Sequence, residues 1–187
     1  MCAVKRKKDS EMRSDYFEKI TREIVKTEYK SLKRVITLRA PNGYGKTTTI
    51  KRLCKELYEE DPMAWCGRRN PTATTIGTGE ISTVFTIEGL RIAIFSVGDT
   101  SQAMLEHFKF CAKTNVDILI LAVRSSSEGR EFFAERAFAQ IKSIIAFQEE
   151  QVVLKKRWTS DIGDKEEYRC VRELKTVLKR TIQEIHN

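Results

Sequence analysis

The sequence has no C-x-x-C pair, and its five cysteines (Cys2, Cys54, Cys66, Cys111, Cys170) are scattered and odd in number. That pattern argues against a disulfide framework or a structural zinc site. Three of them fall within helical apolar patterns, where a buried thiol is the plain expectation. No apolar run approaches the ~20 residues of a membrane span. The basic start, "MCAVKRKKD", has no apolar stretch behind it, so no secretory leader is expected. Together these place the chain, as an expectation, in a reducing cytoplasm. Internal repeats and low-complexity tracts are missing too. No pattern suggests a Ser/His/Asp triad or a catalytic carboxylate pair.

What is there is an ordinary globular balance. Of 187 residues, 41% are hydrophobic and 32% charged, enough to bury a core within one domain and too apolar for a wholly disordered chain. The formal net charge of +8 favours an anionic partner, which leaves nucleotide, nucleic acid and an acidic membrane surface in play. Residues 1–33 divide into a short basic arm and an amphipathic helix carrying Met12, Phe17, Ile20 and Ile24 at helical spacing. Residues 34–187 form the main domain.

Along that domain, Val35–Leu38 reads as a buried strand running into the loop Ala40–Gly45. Ile50, Leu53, Cys54 and Leu57 mark the inner face of a helix that Asp61-Pro62 ends. Residues 63–80, rich in Thr with Gly, Pro and Asn, predict a long loop. Ser82–Ile87 and Leu90–Val97, joined by Glu88-Gly89, predict a β-hairpin. A helix from Ser101 to Ala112 follows, then the continuous apolar run "VDILILAV", as a strand covered on both faces should be. A helix over 129–148, a strand in "QVVLK" and a last helix over 164–186 complete the chain. Asp164 with Glu167 resembles a capping box. The alternation predicts an α/β sandwich with a mostly parallel sheet and one antiparallel hairpin strand. Ligands in such sheets bind at the carboxyl ends of the strands.

One stretch, "VITLRAPNGYGKTTTI", carries specific chemistry. Gly43, Gly45, Lys46 and Thr47 fit a phosphate loop, with Ala40 where a first glycine usually stands. Glycines let backbone N–H groups turn toward phosphate oxygens. The helix that follows offers its N-terminus to the same anion. Lys46 can reach the outer phosphates, and the Thr47 hydroxyl can ligate Mg²⁺.

Phosphate loop, Thr-rich loop, hairpin and then Gly-Asp at a strand end resemble the layout of the Ras-like small GTPases, nearest to the ADP-ribosylation-factor type. "TTIG" (Thr74–Gly77) is similar to that family's first switch and "LRIAIFSVGDT" to its second hairpin strand and second switch. The resemblance spans roughly residues 34 to 156. It implies a three-layer P-loop NTPase fold binding GTP or ATP with Mg²⁺. Asn42, Gly43, Tyr44, Gly45, Lys46, Thr47 and Thr48 would surround the phosphates. Thr47 and Thr75 would hold Mg²⁺, and Thr75 would close on the terminal phosphate. Arg68 and Arg69 lie ahead of Thr75, where the resemblance implies that an arginine such as Arg69 could neutralise charge on the transferring phosphoryl group; a surface arginine pair is the other reading.

The chain also departs from that family. Ser96 stands at the position of its second-switch Asp, and Asp99 at the Gly. Asp99 therefore offers a displaced carboxylate for Mg²⁺ or for an attacking water, or else caps the next helix. Thr100 replaces the water-orienting glutamine. In "LKKRWTSD", Lys156 matches the lysine of the guanine-reading motif, but Lys155 replaces its Asn and Trp158 its Asp. ATP and GTP both stay open, and hydrolysis is expected to be slow. Three functions follow as expectations: a GTPase-like switch, a nucleotide or small-molecule kinase with Arg124 or Arg130 clamping an acceptor, and a pseudo-GTPase that binds without hydrolysing. Switch loops or terminal helices would meet a protein partner.

Overall fold

The computed structural model describes residues 22, 32–64, 80–98, 100–125, 130–156 and 160–187, with the backbone alone for 130–134 and 160–163. The N-terminal arm and helix, the Thr-rich loop with Arg69 and Thr75, and also Asp99 and Trp158 lie outside the described residues.

Five strands form one mixed sheet: β1 (Arg34–Ala40), β2 (Ser82–Ile87), β3 (Leu90–Phe95), β4 (Ile118–Arg124) and β5 (Gln148–Val153). Their spatial order is β2-β3-β4-β1-β5. β1 pairs in parallel with β4 and with β5, and β3 in parallel with β4. Only the β2–β3 hairpin is antiparallel. Glu88 and Gly89 turn it with φ of 50° and 77°, the two left-handed residues a tight hairpin needs. The parallel strands explain the sequence pattern. β4 is apolar at every position from Ile118 to Val123 because helices cover both its faces.

Among the described residues four helices supply that cover: α1 (Lys46–Glu60), α2 (Ser101–Lys113), α3 (Arg130–Ile145) and α4 (Ser160–His186). Ile36, Leu38, Ile92, Ile94, Ile118 and Ile120 pack with residues of α1 and α4 in one core. The alternate strand residues, among them Val35, Phe95, Leu119 and Leu121, pack with α2 and α3 in a second. Each fully buried Leu, Ile or Phe contributes roughly 1.5–3 kcal/mol, so these two slabs hold the fold. Cys54, Cys111 and Cys170 are buried free thiols, as expected of cysteines on inner helical faces. Burial pushes the Cys111 thiol up to about 12 and that of Cys170 to about 11, which suits packing and not reactivity.

Several boundaries differ from the sequence reading: β3 ends at Phe95 instead of Val97, the helix expected over 129–148 ends at Ile145, and two element starts are displaced. β5 starts at Gln148, three residues before the expected "QVVLK", because the polar run Gln148–Gln151 is a strand. Its Glu149 is buried among partners: Thr37 Oγ1 and Arg39 Nη2 donate to it at 2.9 Å, as does Lys142 Nζ. Burial alone would raise this carboxyl, but the bonds from Lys142, Arg39 and Thr37 outweigh it and hold it below the usual range. α4 starts at Ser160, so Asp164 and Glu167 are not its cap. Glu167 is instead drawn to Arg52 of α1 at 3.1 Å, and that guanidinium lies 3.8 Å over the Tyr168 ring. Lys175 of α4 pairs with Glu56 and Glu60 further along α1. These pairs fix α4 alongside α1.

Candidate functional site

β1 lies between β4 and β5, and the chain leaves its neighbours on opposite faces of the sheet. α1 follows β1 onto one face, while α3 follows β4 onto the other. The carboxyl ends of β1 and β4 are therefore a switch point of the sheet, the position where open α/β sheets take ligands. The glycine loop, residues 41–45, borders it.

The loop is anchored on both sides. Ser125 N–H donates to the Ala40 carbonyl at 3.1 Å, and Leu154 N–H to the Arg39 carbonyl at 3.0 Å. Beyond these anchors the chain turns through two left-handed residues, Gly43 (φ 74°) and Gly45 (φ 82°). A side chain would strain both, which is the backbone reason for glycine at these positions. Gly45 is the N-cap of α1, with no side-chain cap and no acidic residue in the first turn. No acidic residue of its own first turn offsets the positive end of the helix. Thr49 returns its hydroxyl to the Gly45 carbonyl at 3.0 Å.

Lys46 is the unusual group. It is only 8% exposed, and its ammonium donates to the carbonyls of Ala40 and Pro41 at 2.9 Å each. Burying an ammonium is expensive unless acceptors surround it. Here the acceptors belong to the loop itself, so the charge is aimed back across the turn. Asn42 and Gly43 are exposed, Tyr44 and Thr47 half-buried, and Thr48 exposed. The structure brings Asn42 through Thr48 together on one turn. Lys156 is exposed beyond β5, at the carboxyl end of the strand on the other side of β1.

Just beyond β5 a carboxylate comes from α4. Glu166 accepts the Lys155 N–H at 2.8 Å and two bonds from Arg169, at 3.0 and 2.9 Å. Arg169 holds its carboxyl down, to about 2. This carboxylate is committed to tying α4 to the end of β5. Local spacing offered no reason to single it out, since it lies well beyond the end of β5, inside the next helix.

The end of β3 is used differently. Ser96 is buried; its hydroxyl accepts the Ile81 N–H at 2.7 Å, and its own N–H donates to the Ile81 carbonyl at 3.0 Å. Gly98 is pressed against β4, where an added Cβ would stand 1.7 Å from the Ala122 carbonyl oxygen. The α2 cap is Thr100, whose hydroxyl accepts the Ala103 N–H at 3.1 Å, so the capping role considered for Asp99 belongs to its neighbour. His107 bonds the Val97 carbonyl through Nε2 at 2.8 Å and stacks on Phe95, as a structural histidine would.

Arg124 ends β4 at the level of Ala40, its register partner on β1. One of its terminal nitrogens donates to Asn42 Oδ1 at 2.9 Å. No group of three or more His, Cys, Asp or Glu placed to hold a metal occurs among the described residues. That is compatible with Mg²⁺ held by a hydroxyl, waters and ligand phosphates, because this ion takes few protein oxygens. Thr47, half-buried at the start of α1, is such a hydroxyl. Among the described residues no helix is long and apolar enough to cross a membrane. Comparison with protein-family models, with curated proteins and with solved structures found no match.

Proposed function

We propose that the chain is a nucleoside triphosphate-binding protein that takes its nucleotide, ATP or GTP, together with Mg²⁺, and hydrolyses it slowly as a switch. One observation carries the reading. A buried ammonium, Lys46, is bonded to the carbonyls of a two-glycine turn at the ligand-binding end of the sheet. A phosphate chain offers that ammonium charged acceptors, which bind it more strongly than amide carbonyls do. The positive end of α1, which has no side-chain cap, favours the same anion. Mg²⁺, when bound with the nucleotide, would neutralise part of the phosphate charge, with the Thr47 hydroxyl among its ligands. By the resemblance to small GTPases, Thr75 and Asp99 would complete the metal site, and Arg69 would meet the transferring phosphoryl group.

A second reading, binding without hydrolysis, is favoured by Ser96. Its hydroxyl already accepts the Ile81 N–H, so the place of the family's metal-facing carboxylate is taken by a structural group. The kinase reading has less support. It needs Arg124 to face an acceptor, and Arg124 faces the loop.

Calorimetry with MgATP and MgGTP tests the proposal. The wild type should take up at least one of them. Lys46→Ala should lose roughly 10- to 100-fold in affinity, the worth of a hydrogen bond to a charged group. A wild type that binds neither nucleotide, or a Lys46→Ala protein that binds like wild type, overturns the reading. Asp99→Asn separates the two versions. Lost turnover with retained binding supports the hydrolytic switch, while equal turnover in both proteins leaves Asp99 without a catalytic part.

A further inference from the structure

Resting on that reading, we propose that Arg124 reads the outermost phosphate and makes the site prefer a triphosphate to a diphosphate. The argument starts from alternation along β4. Ile118, Ile120 and Ala122 belong to the core under α1 and α4, whereas Leu119, Leu121 and Val123 belong to the core under α2 and α3. Arg124 comes two residues after Ala122 and continues the α1 side. A strand that is apolar throughout thus ends in one cation, directed toward the helix that the glycine loop opens.

Sheet order makes that placement matter. β4 is the immediate neighbour of β1, so Arg124 stands one strand spacing, about 4.8 Å, from Ala40. β3, with Ser96 at its end, is a second spacing away. Beside the loop the nearer strand end is therefore a guanidinium, and the β3 end lies beyond it. Loop amides and the start of α1 would enclose the inner phosphates. The phosphate that projects past them toward β4 is the terminal one.

Arg124 is also placed to change partners. Its backbone neighbour Ser125 is bonded to the Ala40 carbonyl, which fixes the strand end against the loop. Its side chain holds the neutral amide oxygen of Asn42 at 2.9 Å. A phosphate accepts two parallel bonds from a guanidinium and carries charge, so it is the stronger acceptor. Arrival of the third phosphate would draw the fork off Asn42 without moving the sheet, and loss of that phosphate would return it. The loop would then report which nucleotide is bound.

The test compares magnesium complexes of non-hydrolysable β,γ-imido ATP and GTP with those of ADP and GDP, by calorimetry on the full chain. Arg124→Ala should weaken triphosphate analogue binding roughly 10- to 100-fold. It should leave diphosphate affinity within about threefold, since loop amides and Lys46 hold the inner phosphates. Arg124→Lys keeps the charge without the planar fork and should recover only part of the preference. A urea unfolding midpoint for each variant shows that it is folded. If the alanine variant does not fold, the Arg124→Lys ratio decides alone. Equal losses for both nucleotides, or an unchanged ratio in a folded variant, overturn the role of Arg124 while leaving nucleotide binding intact. A wild type that binds no nucleotide overturns the parent reading as well, and the two failures are thereby distinct.

Discussion

The carboxyl ends of β1 and β3 face the same edge of the sheet, but their polar groups are spent differently. At the end of β3 every described device serves the fold: Ser96 holds Ile81 through two hydrogen bonds, Gly98 lets the chain press on Ala122, and Thr100 caps α2. At the end of β1 the backbone is bent into left-handed glycines, α1 starts without a side-chain cap, and a buried ammonium donates to the carbonyls of Ala40 and Pro41. Stability explains the first arrangement. The second holds a buried charge against neutral carbonyls, which is costly for a fold and useful for an anion site. Polar residues near a ligand edge are therefore not equivalent evidence; what matters is whether their bonds are already committed to structure.

That contrast can be broken by substitutions at the β3 end. The largest effect is expected from Gly98→Ala. Its methyl would stand 1.7 Å from a backbone oxygen of the central strand, and neither partner can turn away as a flexible side chain could. A loss of about 3 kcal/mol or more is expected in urea unfolding, at or beyond the upper range for overpacking. A variant within 1 kcal/mol (~) of wild type would mean that the β3–β4 approach is loose. Next comes Ser96→Ala, which leaves the buried Ile81 N–H without its acceptor. It should cost about 1–3 kcal/mol of stability. Mg-nucleotide affinity should stay within about twofold, a change under half a kcal/mol. Weakened nucleotide binding at unchanged stability would move Ser96 into the site and erase the distinction between the two ends.

Much of this was legible in the sequence where one physical signal dominated. β2, β3 and the turn at Glu88-Gly89 follow from two β-rich runs and the residue pair that joins them, and β4 from an unbroken apolar run. Glycine spacing before Lys46 located the loop. The misplaced starts of β5 and α4 share a cause: tertiary partners override local pattern. Glu149 sits in a strand because Thr37, Arg39 and Lys142 reach it, and Glu167 leaves its capping pattern for Arg52. Strand order is set by which crossovers form, and no local segment encodes it. For that reason the adjacency of Arg124 to the loop could not be read, and the unbroken apolar run before it does not mark which face it takes.

The smallest expected effect concerns His107, which supports the β3 end from α2. Burial lowers the pKa of this imidazole, opposed by its bond to the Val97 carbonyl and by the charge of Glu106. The unfolded chain should titrate near the ordinary value of about 6.5. Because the folded value is depressed, the unfolded state binds more protons in the window below about pH 6.5, and stability there rises with pH. The contribution of neutral His107 is thus fully present above that pH and is lost as pH falls toward the folded value. Unfolding midpoints of wild type and His107→Gln, measured between pH 7.5 and pH 5 (roughly the span over which an ordinary histidine titrates), should converge as pH falls. The glutamine variant keeps a hydrogen-bond donor for Val97 but cannot titrate, so a gap that stays constant with pH would show that this histidine is not neutralised by its burial. Nucleotide affinity should follow neither curve, because His107 braces the end of the sheet edge that the contrast assigns to the fold.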